Sequence, residues 1–363
     1  MQHRKNHPIR WVAWSALGVC AAAGAFAAIG HAHPGPPPQR DMPVTDAVRK
    51  QAIDAAITNL EQAYVFPDKA EAMARRLRQM QQSGEFDKVT SSERFAETLT
   101  DVLQRESHDP HIEVRYFEQP VPIDPPGKAT DEASPHERIE KIRMNYGVAS
   151  VGRLHGNLGY IDLHQLGRPE GAVPRYAAAM RLLADTDALV IDLRQCGGGD
   201  PDAVMAFASY LFDRPTHLND IYWRAENRTQ VRWTQPNVPG PRYGERRRVY
   251  VLTSQDTFSG CEDLAYALKN ARRATLVGET TGGGAHAGDP HRLAEHFMMF
   301  VPAGRPISPV THTDWEGVGV TPDVQTSASK SLDAAQRLAL TALIANEQDA
   351  DWKARLQDAE RDL

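Results

Sequence analysis

Apolar positions recur at helical spacing in three runs near the start of the chain's body. Val48, Ala52, Ile53, Ala56, Leu60 and Tyr64 form one stripe, ended by Phe66-Pro67. Ala70, Met73, Leu77 and Met80 form a second. After a glycine-containing loop at 81–87, Phe95, Leu99, Val102 and Leu103 form a third. This predicts a small helical bundle over 44–107. Ile112-Glu113-Val114-Arg115-Tyr116 then alternates as a half-buried strand does. Residues 119–136 are polar and proline-rich, a linker or surface loop. From about Tyr146 the period changes. Strands at 158–163, 188–193, 248–252 and 275–277 alternate with helices at 173–183, 202–211 and 260–269, and a last helix covers 331–345. Such alternation marks an α/β domain. There are no internal repeats or sustained heptads.

The first residues follow another pattern. Arg4, Lys5 and Arg10 precede an alanine-rich apolar stretch at 11–30, then a small-residue site near Ala32 and a proline-rich run. This predicts export, with a signal peptide over 1–32 and a linker over 33–43. The apolar stretch is also long enough to serve as an uncleaved anchor that tethers the chain to a membrane. A lipid on Cys20 is disfavoured by the bulk of Val19. The rest divides into a helical N-terminal domain (44–117), a linker or loop (118–145), an α/β domain (146–347) and a C-terminal tail (348–363).

Composition changes this picture little. The 363 residues are 41% hydrophobic and 24% charged, which suits a soluble globular protein. A net charge of -6 gives no case for a nucleic-acid partner, and Arg246-Arg247-Arg248 is too short a basic run to make one. Only Cys196 and Cys261 remain once the leader is removed. They read as two small buried side chains in preference to a bridge, although export leaves a bridge open.

Ser259 is the leading chemical candidate. It stands between the strand at 248–252 and the helix at 260–269, where unbonded helical amides carry partial positive charge. Ser259-Gly260-Cys261-Glu262 is also a capping box, the commoner meaning of such a serine. Phe258 lacks a hydrophobic partner at Asp263, so there is no staple. Cys196-Gly197-Gly198-Gly199 and Gly282-Gly283-Gly284 form two glycine-rich loops. The first could hold an oxyanion or simply turn. Without a following Lys-Ser/Thr it is not a nucleotide loop. His286 is either a base or an exposed loop histidine, and Glu316 either orients a base or is a surface carboxylate. Two histidines in His108-Asp109-Pro110-His111 invite a metal, but no HExxH or cysteine ligand set supports one, and none is expected.

Several segments together resemble the tail-specific (C-terminal processing) serine peptidase superfamily. The branch is similar to tricorn core peptidases and interphotoreceptor retinoid-binding protein modules. The matching segments are Asp192-Leu193-Arg194-Gln195-Cys196-Gly197-Gly198-Gly199, residues 253–268, 272–286 and 314–324, and the helical front with Tyr64-Val65-Phe66-Pro67. The resemblance implies a crotonase-like α/β core behind a small helical N-terminal domain. It implies Ser259 as nucleophile, His111 as base, Glu316 as orienting acid, and an oxyanion hole from Gly260, Gly197 and Gly198. No cofactor is implied. Many relatives pair the serine with a lysine, but Gly282-Gly283-Gly284 has none, so a Ser-Lys dyad is not expected. Cys196 stands where the branch usually has asparagine, and the span between Phe117 and Tyr146 is too short for a PDZ domain. The expected function is an exported serine peptidase acting on peptides or unfolded polypeptides. The alternatives are a non-catalytic module binding an apolar ligand and an esterase-like hydrolase.

Overall fold

A computed structural model describes residues 39–122 and 135–363, with side chains from residue 138 in the second span. The expected leader and most of the expected linker lie outside the described residues. In chain order the elements are α1 (Asp46–Ala63), α2 (Pro67–Gln82), α3 (Ser92–Ser107), β1 (Glu113–Tyr116), α4 (Pro135–Arg143), β2 (Val148–Leu154) and β3 (Leu158–Leu163). There follow α5 (Pro169–Leu182), β4 (Ala188–Asp192), α6 (Pro201–Ala208), β5 (Asp220–Trp223), β6 (Arg228–Gln230), β7 (Arg248–Thr253) and α7 (Gly260–Asn270). The chain ends with β8 (Thr275–Gly278), β9 (Ala287–Ala294), β10 (Phe297–Ile307), β11 (Val324–Gln325), α8 (Ala328–Asn346) and α9 (Ala350–Arg361). Among the described residues no helix is long and apolar enough to cross a membrane.

The larger sheet runs β11-β8-β7-β4-β3-β2. Its neighbours are parallel from β3 to β11, and β2 closes one edge antiparallel to β3. Strand β4 is buried along its whole length because helices cover both faces. Leu189 and Ile191 point into a core with α5, α6 and α7. Ala188 and Val190 point the other way, to α8 and α9. Because β4 and β7 are adjacent and parallel, the loops at their C-terminal ends lie side by side, the usual place for a site in such a sheet. Those loops are the Cys196-to-Gly199 turn and the Ser259 turn.

In the second sheet β10 pairs antiparallel with β1, β5 and β9, and β5 pairs with β6. Helices α1–α3 form as expected, with Thr45 and Ser91 capping α1 and α3. They do not close a core of their own. Leu60, Phe95 and Leu99 share one with Leu293, Phe297, Met299 and Val301 of β9 and β10. Two other expectations change. The span expected as linker, 118–145, contains α4, and the expected tail, 348–363, contains α9, which buries Leu356 and Ala359 against the larger sheet.

Candidate active site

Ser259 sits at the N-terminus of α7 with φ 51° and ψ -122°. A non-glycine residue holds such a conformation only where its surroundings fix it. Here they do. The Ser259 N–H donates to Glu262 Oε2 at 2.9 Å, one half of the expected capping box. Phe258 N–H donates to Cys196 O, Cys261 N–H to Phe258 O, and Asp263 N–H to Ser259 O, each at 3.0 Å. A disulfide between Cys196 and Cys261 ties the two loops covalently. This corrects the expectation of two separate thiols: adjacent parallel strands deliver both cysteines to one point. Ser259 itself stays partly exposed.

The loops touch closely enough to demand glycine. A Cβ on Gly198, whose φ is 121°, would lie 2.9 Å from Ser259 Cβ. Of the three expected oxyanion donors, Gly197 is already committed, its N–H bonded to His164 O at 3.1 Å. The N–H groups of Gly198 and Gly260 bond no acceptor among the described residues.

Glu262 is fully buried and gathers four donors. Oε2 accepts from Ser259 and Gly284 N–H, and Oε1 from Gly283 N–H and the Thr281 hydroxyl. It therefore welds the Ser259 turn to the glycine loop that lacks the lysine. Burial outweighs those four donors and pushes its carboxyl up to about 7.

His111 follows α3 directly. His108 ends that helix in the left-handed region, and Asp109 Oδ1 accepts the His111 N–H at 3.0 Å. The imidazole is 5% exposed and packs on Phe258, with ring centroids 4.8 Å apart. Gly284 makes the room: a Cβ there would sit 2.5 Å from His111 Cε1. Neither ring nitrogen has a hydrogen-bond partner, so the ring is not bonded to Ser259. Burial lowers its pKa to about 4.

Glu316 is set by its neighbour. Trp315 is buried and donates Nε1–H to Gly284 O at 2.8 Å, while Glu316 Oε2 accepts from Ala285 N–H at 2.6 Å. Its Oε1 has no partner. Burial, then the charge of Asp109, raises its pKa to about 8.

Two residues complete the cluster: Asp109, to which sequence reasoning gave no role, and His286, which it left open as a base or an exposed loop histidine. Asp109 lies 3.8 Å (Oδ1) from His111 Nδ1. His286 is no exposed loop residue: it is 2% exposed, and its Nδ1 lies 2.7 Å from Asp109 Oδ2 and 3.6 Å from Glu316 Oε2. Tyr64 O–H also donates to Asp109 Oδ2, at 3.0 Å. Burial opposes charge on both Asp109 and His286, yet their mutual bond holds Asp109 low and His286 high. The signal for Asp109 was its place two residues before a histidine, where an aspartate bonds the backbone and so stays fixed. One ligand atom each from Asp109, His111 and Glu316 lie within 4.8 Å of one another, so these three could also hold a metal ion.

The site so described combines a strained serine at a helix N-terminus, two unbonded loop amides close by and a buried histidine–carboxylate cluster on an α/β fold. Comparison with known proteins narrows the class. Residues 157–326 match Peptidase family S41, and residues 45–146 match the N-terminal domain of Peptidase_S41 in eukaryotic IRBP. The chain thus carries a peptidase family S41 domain behind that family's N-terminal domain. It is 28% identical over 198 residues to carboxyl-terminal-processing peptidase 2, chloroplastic, of Arabidopsis thaliana, covering 51% of this chain and 36% of that one. The chain thus matches about a third of that relative's length. A lipoprotein from Streptococcus agalactiae shares the fold with a TM-score of 0.54 at 12% identity, over 82% of this chain and 98% of the other. So does a protein from Parabacteroides merdae, with a TM-score of 0.54 at 16% identity over 80% and 96%.

Proposed function

We propose that this chain is an exported serine peptidase that cleaves peptides or unfolded polypeptides through an acyl-enzyme on Ser259. The observation that carries the reading is the fixed, partly exposed Ser259 turn, set against the Gly198 loop and beside the buried imidazole that packs on Phe258. His111 takes the proton as Ser259 Oγ bonds the substrate carbonyl carbon, then gives it to the departing amine. Gly198 and Gly260 N–H groups receive the oxyanion. Asp109, the nearer and more acidic carboxyl, stabilises the imidazolium, and Glu316 supports the cluster as the second carboxyl. Serine and histidine close into hydrogen-bond range when substrate fills the site, as such bonds often tighten only in the complex. The core is read as crotonase-like, on the parallel β3-β4-β7-β8 order with the nucleophile after β7. The Cys196–Cys261 bridge suits an oxidising compartment and so supports export.

A second reading, a non-catalytic module for an apolar ligand, draws on one observation: His111 bonds no group through its ring and is enclosed by aromatic side chains. A serine-directed fluorophosphonate separates the two. A peptidase labels at Ser259 when folded, and a binding module does not. Relative turnover of matched peptide and ester substrates then distinguishes a peptidase from an esterase-like hydrolase.

A further inference from the structure

We propose that Asp109, His111 and Glu316 form a binding site for a divalent transition-metal ion, Zn2+ above all, and that the bound ion silences Ser259 by occupying its base. The silencing half rests on the peptidase reading; the binding half does not. The donor set is one imidazole and two carboxylates, with ligand atoms within 4.8 Å of one another. His111 Nδ1 and Asp109 Oδ1 are 3.8 Å apart. Two ligands on a tetrahedral zinc, each at about 2.0–2.1 Å, stand roughly 3.3 Å apart, so the His111–Asp109 pair needs to close by about half an ångström and the others by at most about one and a half.

The division of labour among the oxygen atoms points the same way. Asp109 Oδ2 is held by Tyr64 O–H and His286, and Glu316 Oε2 by Ala285 N–H. The atoms left over face the cluster. Glu316 Oε1 has no partner, neither nitrogen of the buried His111 has one, and Asp109 Oδ1 accepts only the His111 backbone N–H among the described residues. Outer groups that orient one oxygen while the other stays free are what holds ligands ready for a metal. A buried imidazole with both nitrogens unbonded is otherwise costly. An imidazole with two carboxylates suits zinc and its neighbours, whereas magnesium and calcium call for more oxygen atoms. Three protein donors leave a fourth position open to water or a substrate oxygen.

The test is calorimetric titration of Zn2+ into the full chain stripped with chelator, in parallel with Ser259→Ala. Both should bind one zinc per chain. Glu316→Gln and His111→Gln, checked for native circular dichroism, should lose about 10–100-fold in affinity or more. Zinc should also suppress fluorophosphonate labelling of the unmutated chain, and chelator should restore it. Absence of saturable binding to Ser259→Ala, or unchanged affinity in both ligand variants, would overturn the site. Binding with an undiminished labelling rate would overturn the silencing. If Ser259 never labels, with or without zinc, the peptidase reading fails while the titration still decides the metal site.

Discussion

Ser259 keeps its positive φ because the residues around it leave no relaxed alternative, and Glu262 is the centre of that restraint. A glutamine there has one acceptor oxygen and one NH2, so two N–H or O–H donors would face another donor. Glu262→Gln should cost about 2–3 kcal/mol in urea unfolding and lower kcat as the turn relaxes. The pH dependence has a definite sign. Burial raises the native carboxyl from 4.5 to about 7, so between those values the folded chain holds a proton that the unfolded chain has released. The contribution of this group is therefore full below about 4.5 and lost as pH rises through about 7. Urea titrations across that window should show the slope in the parent chain, with its Glu262 part missing from Glu262→Gln. The carboxylates beside His111 make a second contrast. Asp109→Asn should lower kcat/KM by about a hundredfold or more, since it removes the charge nearest the imidazole, and Glu316→Gln should cost less. A larger loss in Glu316→Gln would return the orienting role to Glu316 alone.

At the scale of elements, the legible ones are those whose apolar period survives intact. The stripes of α1–α3 and the apolar runs of β4 and β7 are visible in the sequence because each buries one helix face or both strand faces. Strand β10 escapes because Pro302, Gly304 and Pro306 follow its apolar run Phe297–Val301, and prolines argue against a ladder strand. Strand β9 escapes because Gly288, Asp289 and Pro290 read as a turn. Edge strand β2 lies mostly exposed and so has no buried face to pattern. In the site, Ser259 was legible from its strand-to-helix turn and the roles of His111 and Glu316 rest on the resemblance, while the pairing of Asp109 with His286 needed the fold: they stand 177 positions apart and meet because β1 pairs with β10. The bridge likewise depends on β4 lying beside β7. It closes a span of 65 residues, so replacing Cys196 and Cys261 with alanine should cost about 4 kcal/mol by the loop-entropy account. Calorimetric or denaturant unfolding of Cys196→Ala/Cys261→Ala would register this, and the loosened Gly198 loop should lower kcat more than it raises KM.

For the molecule as a whole, the site lies where two structural halves meet. The helical front and β1 bring Asp109 and His111; the larger sheet brings Ser259, and the loops around β8–β11 bring His286 and Glu316. The helical front shares one packed core with β9 and β10, the strands that follow β8 in the chain. The account turns on Ser259 acting with His111. Its most direct test is fluorophosphonate labelling of the folded full chain, with the modified peptide located by mass spectrometry. The account predicts one adduct per chain, on Ser259, formed at least about a hundredfold more slowly in His111→Ala. Labelling that falls elsewhere, or that proceeds at the same rate in His111→Ala, would contradict it.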